Sequence, residues 1–151
     1  MQDKFIQFEI VTPERVVLKE EIIQITVPTK DGEITVLSGH IPLVSSLKPG
    51  VIHIKKKDNE DEIISISGGF LEVLKNKIVI LADTAERAEE IDITRAEEAY
   101  RRAEEIKKNT RHIDQINFIE INANIAKELV RTHAIKRWRK LKGLNDSATS
   151  V

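Results

Sequence analysis

Apolar and polar residues alternate along most of the first half of the chain. The alternation runs through Phe5-Ile6-Gln7-Phe8-Glu9-Ile10-Val11 and breaks at Thr12-Pro13-Glu14. It resumes at Ile22-Ile23-Gln24-Ile25-Thr26-Val27, where Pro28 is predicted to end it, and recurs at 51–54, 63–66, 70–74 and 78–81. A period of two places successive side chains on opposite faces of a strand. Asp31-Gly32, Pro49-Gly50, Asp58-Asn59-Glu60-Asp61 and Lys75-Asn76-Lys77 supply turn chemistry between the runs. Short strands punctuated in this way predict an antiparallel β-sandwich, or flattened barrel. One face of each strand should be wet or covered by a partner.

The pattern changes after Ala82. From Glu89 onward neither glycine nor proline occurs until Gly143, and alanine, glutamate and arginine dominate. Ala96, Ala99, Tyr100, Ala103 and Ile106 form a stripe at helical spacing, which Lys107-Lys108-Asn109 closes. Thr94-Arg95-Ala96-Glu97 has the form of a capping box, and Asp92 is an equally good N-cap. Glu97/Arg101, Glu98/Arg102 and Glu104/Lys108 are spaced for four-residue ion pairs. A second helix is predicted from about Ile113 to Leu141, with Ile116, Ile119, Ala123, Ala126, Val130, Ala134, Trp138 and Leu141 on one side. Two such helices make a hairpin that cannot bury both its faces alone, so it must dock on something. The expected organisation is a β-sandwich over 1–87, a helical hairpin over 88–142 and a polar, fraying tail over 143–151.

Composition narrows the function classes. A length of 151 residues accommodates one ordinary domain or two small ones. Lys and Arg total 24 against 25 Asp and Glu, a balance that argues against a general polyanion binder. The absence of cysteine excludes disulfides, thiolate metal sites and cysteine catalysis. No apolar run has the length of a membrane span, and the N-terminus lacks a signal pattern. A soluble cytoplasmic chain is expected, with membrane association only through a partner. Because aromatic residues make up 4% of the chain, isoleucine, valine and leucine must build the core.

Catalytic signatures are missing. His40, His53, His112 and His133 are scattered and form no ligand motif. There is no P-loop and no nucleophile elbow, so no enzymatic activity is expected. Local readings of the polar residues are modest. His40 can cap a turn beside Pro42, Glu33 can be a strand-edge charge, and Arg95 and Arg102 can pair with Asp92 and Glu98. Lys127, Arg131, Lys136, Arg137, Arg139, Lys140 and Lys142 face only Glu128 on the second helix. They fit a solvated helix with cations near its C-terminus, or a nucleic-acid surface with Trp138 available for stacking.

A resemblance adds to this reading. Gly32-Glu33-Ile34-Thr35-Val36-Leu37-Ser38-Gly39-His40-Ile41-Pro42-Leu43, closing at Lys48-Pro49-Gly50, closely resembles the signature of the ε-subunit family of F-type ATP synthase. Ser67-Gly68-Gly69-Phe70-Leu71-Glu72-Val73, then Ile78 to Glu86, resembles the end of that family's β domain. Ile91-Asp92-Ile93-Thr94-Arg95-Ala96 resembles the start of its helical domain. Thr35 and Ser38 depart from the usual glycine and proline of the first motif, and a strand end accommodates both.

The resemblance implies a non-catalytic rotor subunit at the cytoplasmic face of the plasma membrane, held there through its complex. Its partners would be the γ subunit, the c-ring and the α and β subunits, with no nucleic acid. Glu33 would face the c-ring and His40 the γ subunit. Arg131, Lys136, Arg137, Arg139 and Lys140 would face the catalytic subunits when the hairpin extends, blocking ATP hydrolysis. No cofactor is required, but ATP is implied as a regulatory ligand of the compact hairpin, on Glu86, Ile91, Asp92, Arg95, Arg102, Lys127 and Arg131. Guanidinium forks suit a triphosphate, and Asp92 suits the adenine amino group. Readings outside the resemblance are a free-standing nucleotide-sensing adaptor and a nucleic-acid-binding module.

Overall fold

In the computed structural model, which describes residues 4–109 and 115–144, the alternating runs become strands of one sheet that curls back on itself. The strands are β1 (Ile6–Val11), β2 (Val16–Thr29), β3 (Gly32–Leu37), β4 (Leu43–Leu47), β5 (Gly50–Lys56), β6 (Asp61–Ile66), β7 (Gly69–Val73), β8 (Lys77–Ala82) and β9 (Ala85–Arg87). A 3-10 turn, Ala88–Glu90, leads to α1 (Ile93–Asn109) and α2 (Gln115–Leu141).

Neighbouring strands follow the order β1-β8-β7-β4-β2-β5-β6-β9, with β3 on β2 and β1 returning to pair β2. That last pairing closes the sheet into a flattened, two-layered sandwich. The ladders are antiparallel except β1–β8, which is parallel. Phe8, Ile10, Ile25, Ile52, Ile54, Ile64, Leu71, Ile78 and Ile80 fill the interior and are essentially inaccessible. Branched aliphatics suit this role because their stiff side chains pack on a pleated surface.

Two strand expectations are corrected. Pro28 does not end its strand, because β2 continues to Thr29. Pairing of β2 with β5 stops at Thr26–His53, and pairing with β4 begins at Thr29–Leu47. Pro28 stands in the gap, where no partner needs its missing N–H, while its carbonyl accepts from the Lys48 N–H at 3.0 Å. β2 also begins at Val16, earlier than the alternation indicated, because Lys19-Glu20-Glu21 lie on a ladder to β1. β4, rich in serine, is a strand that the pattern did not reveal. The turn readings hold: Asn59 (φ 64°) lies in the β5–β6 tip, and Gly39 (φ 83°) lies in the loop after β3.

Asp92 decides the start of α1. Its Oδ1 accepts from the Thr94 and Arg95 N–H groups at 3.0 and 3.2 Å, so Asp92 rather than Thr94 is the N-cap. Glu104 accepts from the Tyr100 hydroxyl at 2.9 Å instead of pairing with Lys108. The hairpin docks on the sheet through a second core of Ile63, Ala88, Ile91, Ala96, Ala134 and Ile135, with Val51, Ile93 and Trp138 around it. The predicted stripes are buried only where this seam reaches them. Ile106, Ile116, Ile119 and Leu141 are exposed, while Ile135, outside the predicted stripe, is buried. Residues 145–151 of the expected tail, and the expected helix start at 113–114, lie outside the described residues.

Candidate functional site

Where Arg131 of α2 meets Glu86 of β9, a cavity of about 380 Å³ opens between hairpin and sandwich. Thr12, Glu14 and Arg15 from the β1–β2 loop, Asp83, Thr84, Ala85 and Glu86 from the β8–β9 segment, and Lys127 and Arg131 from α2 form its wall. Arg131 is the central charge. Its Nη2 donates to Glu86 Oε1 at 3.2 Å, and its Nε lies 2.6 Å from Oε2 as an ion pair that is not aligned for a hydrogen bond. Its Nη1 reaches Glu128 Oε2 at 2.8 Å. Partial burial lowers the proton affinity of this guanidinium. Hydrogen bonds to Glu128 and Glu86 outweigh that effect, so its pKa stands above the usual arginine value.

Three of the sequence-predicted ATP residues, Glu86, Lys127 and Arg131, therefore share one cavity. The others do not join it. The Ile91 side chain is 5% exposed and belongs to the seam. Asp92 caps α1, and its Oδ2 lies 3.8 Å from Arg95 Nε, whose side chain is 84% exposed. Arg102 lines a shallow cleft on α1 with Glu98, Arg101 and Glu105. At 100° per residue, Arg95 and Arg102 fall on the same side of α1. Across the hairpin, a second groove is lined by Glu97, Tyr100, Arg101, Leu129, Thr132, His133 and Lys136. Arg95 and Arg102 thus lie apart from the cavity that Lys127 and Arg131 line.

Sequence reasoning missed Thr12, Arg15, Asp83 and Thr84. No local pattern marks them, because a loop and a strand end meet α2 only through the fold. Arg15 Nη2 pairs with Glu90 Oε2 at 3.2 Å, tying that loop to the turn before α1.

The remaining candidates divide between two surfaces. Lys136, Arg137 and Lys140 are exposed on α2, and Arg139 is half-buried. Arg137 Nη2 approaches His53 Nδ1 at 3.5 Å, and His53 Nε2 lies 2.7 Å from Asp61 Oδ1. On the sandwich, Glu33 is exposed on β3, and His40 is half-buried in the loop after it. The His40 Nδ1–H donates to the Ile41 carbonyl at 2.6 Å, and the Ile41 side chain is exposed. On the outer face of β4, β7 and β8, Val44, Phe70 and Leu81 are exposed together. No group of three metal-ligating side chains occurs among the described residues, and no described helix is long and apolar enough to cross a membrane.

Residues 5–88 match the family model for the ATP synthase delta/epsilon chain β-sandwich domain. An ATP synthase epsilon chain of Herpetosiphon aurantiacus is 42% identical over 134 residues, covering 89% of this chain and 98% of that one. The chain belongs to the ATP synthase epsilon chain family. A second epsilon chain, from Chloroflexus aggregans, is 44% identical over 137 residues, with 87% and 96% of the two chains covered. The fold recurs in a chain of the Euglena gracilis mitochondrial ATP synthase, resolved with its F1 and c-ring, at a TM-score of 0.76 and 24% identity over 89% of this chain and 84% of that one. As an epsilon chain the protein is a non-catalytic, central-stalk subunit of a membrane-associated ATP synthase. The adaptor and nucleic-acid readings give way to that family.

Proposed function

We propose that this epsilon chain rotates with the γ subunit and the c-ring, and that its hairpin restrains ATP hydrolysis. The sandwich would grip γ through an apolar outer face and His40, and rest on the c-ring through Glu33. On a bacterial complex that surface would face the membrane from the cytoplasmic side of the plasma membrane. The hairpin would leave the sandwich and present Arg131, Lys136, Arg137, Arg139 and Lys140 to the α and β subunits. ATP, held by Glu86, Asp92, Arg95, Arg102, Lys127 and Arg131 with Ile91 in the adjoining seam, would stabilise the docked form. A ligand shifts such an equilibrium only by its differential affinity for the two forms.

The observation that carries the reading is the Arg131–Glu86 ion pair across a small seam. A second, smaller core than that of the sandwich joins the two parts, and a polar cavity adjoins its Arg131 end. The test is a calorimetric titration of the chain with ATP, repeated for Arg95→Ala and Arg102→Ala. Saturable binding lost in both variants supports a nucleotide-gated hairpin. Absence of binding leaves the rotor role and removes the gate. Truncation after Arg87 should raise the ATPase rate of the assembled enzyme, and an unchanged rate would remove the inhibitory role.

A further inference from the structure

Glu86 and Arg87 are neighbours in β9 but point to opposite sides of the sheet. Glu86 stands opposite Ser65 and pairs with Arg131 on the hairpin side. Arg87 stands opposite Ile64, whose side chain belongs to the sandwich core. There Arg87 forks onto Glu62, with Nε to Oε1 at 2.7 Å and Nη2 to Oε2 at 3.0 Å. Glu62 is 6% exposed and also holds Lys56 at 3.2 Å, which reaches Glu20 at 3.4 Å. Nη2 of Arg87 further holds Glu89, in the turn before α1, at 2.7 Å. Ala85 is likewise part of the sandwich core, whereas Ala88, three residues later, belongs to the seam under the hairpin.

We propose that the Glu62–Arg87 clamp is the fixed root of the hairpin, so that the joint on which the hairpin swings lies within 88–92. The inference takes from the proposed function only that the hairpin leaves the sandwich. When it does, the Glu86–Arg131 ion pair and the Ala88 and Ile91 contacts part. Every partner of the Glu62 cluster except Glu89 lies on β2, β5, β6 or β9 and stays in place. A doubly forked pair on a nearly buried carboxylate is costly to break, because the carboxylate would be stranded without compensation. β9 therefore stays zipped to β6, although it is only three residues long. Arg87 and Glu62 act as positioning residues: they set where the chain bends and touch no ligand.

Residue-resolved amide exchange on the full chain tests this, with the buried amides of β1 and β2 as an internal control for global unfolding. Arg131→Ala should speed exchange across 88–92 while 85–87 remain protected. Glu62→Gln should lose protection at 85–87 by roughly ten- to a hundredfold beyond any loss that the control amides share through lower global stability. Arg87→Lys keeps the charge without the fork and should give a smaller loss at the same three positions, which covers the case that Glu62→Gln fails to fold. Opening of 85–87 together with 88–92 in Arg131→Ala overturns the proposal, as does full protection of 85–87 in both clamp variants. If Arg131→Ala changes exchange nowhere, the mobile hairpin is refuted, while the clamp variants still decide whether β9 is pinned by Glu62.

Discussion

Phe70 stands directly opposite Leu81 across the β7–β8 ladder, and the two side chains are 58% and 57% exposed on the outer face of the sandwich. Val44 continues the patch on β4, where the next outward position, Ser46, faces Phe70. Cross-strand aromatic and aliphatic pairs of this kind normally have a layer above them. Phe70→Asp is expected to change stability by no more than about 0.5 kcal/mol, since little burial is lost. It should abolish co-purification with the γ subunit. Denaturant melts and a pull-down check the two halves of the statement.

Gly69 stands opposite Ala82 where β7 pairs with β8. Its φ is +147°, and a Cβ there would collide with the Leu81 carbonyl and the Ala82 Cα. Gly69→Ala therefore combines backbone strain with a clash that no side-chain rotation relieves. Its cost should be about 3 kcal/mol or more, read as a fall in the denaturation midpoint.

The Glu62 cluster predicts an acid limb in the stability profile. Burial raises the Glu62 carboxyl pKa, but hydrogen bonds and charge from Arg87 and Lys56 outweigh it and hold the pKa below its ordinary 4.5. For a depressed carboxyl, the stabilisation is complete above the unfolded-state value and is lost as pH falls through the folded one. Stability should thus be flat with respect to this group at neutral pH and decline below about 4.5. Glu62→Gln should be less stable at pH 7 by about 3 kcal/mol, and the difference from the natural chain should narrow toward acid. Parallel urea melts from pH 7 to 3 measure both; a constant difference would show that the carboxylate charge is not what matters.

Trp138 is the chain's single tryptophan, and it lies half-buried beside the seam. Its emission reports docking without a label. Ile135→Ala removes a side chain that is 4% exposed and should weaken the seam by about 2–4 kcal/mol. A red shift of Trp138 emission, with the strand signal of the sandwich unchanged, is the expected outcome.

Alternation, glycine and proline placement, and the switch to helical spacing after Ala82 made the sandwich and the hairpin legible before any coordinates. Asp92 was legible as a cap because N-capping is a local affair of one side chain and the next turn of backbone. Pro28 misled, because whether a proline breaks a strand depends on whether a neighbour needs its N–H, and that neighbour lies on β5 or β4. The helical stripes misled in the same way: periodicity shows which residues share a face, not how much of that face is covered.

The residues of this chain determined by themselves that a strand-rich half precedes two helices, which faces are apolar, and which motifs tie it to the epsilon family. All of these are set by contacts within a few residues or by order along the chain. Only the tertiary structure decided that Arg131 would meet Glu86, 45 positions away, that Arg87 would turn inward to Glu62, and that Thr12 and Arg15 would wall the same cavity as Lys127. Those pairings depend on sheet closure and hairpin docking, which bring distant charges together while paying for their ordering through buried isoleucine and alanine, and no local pattern encodes them.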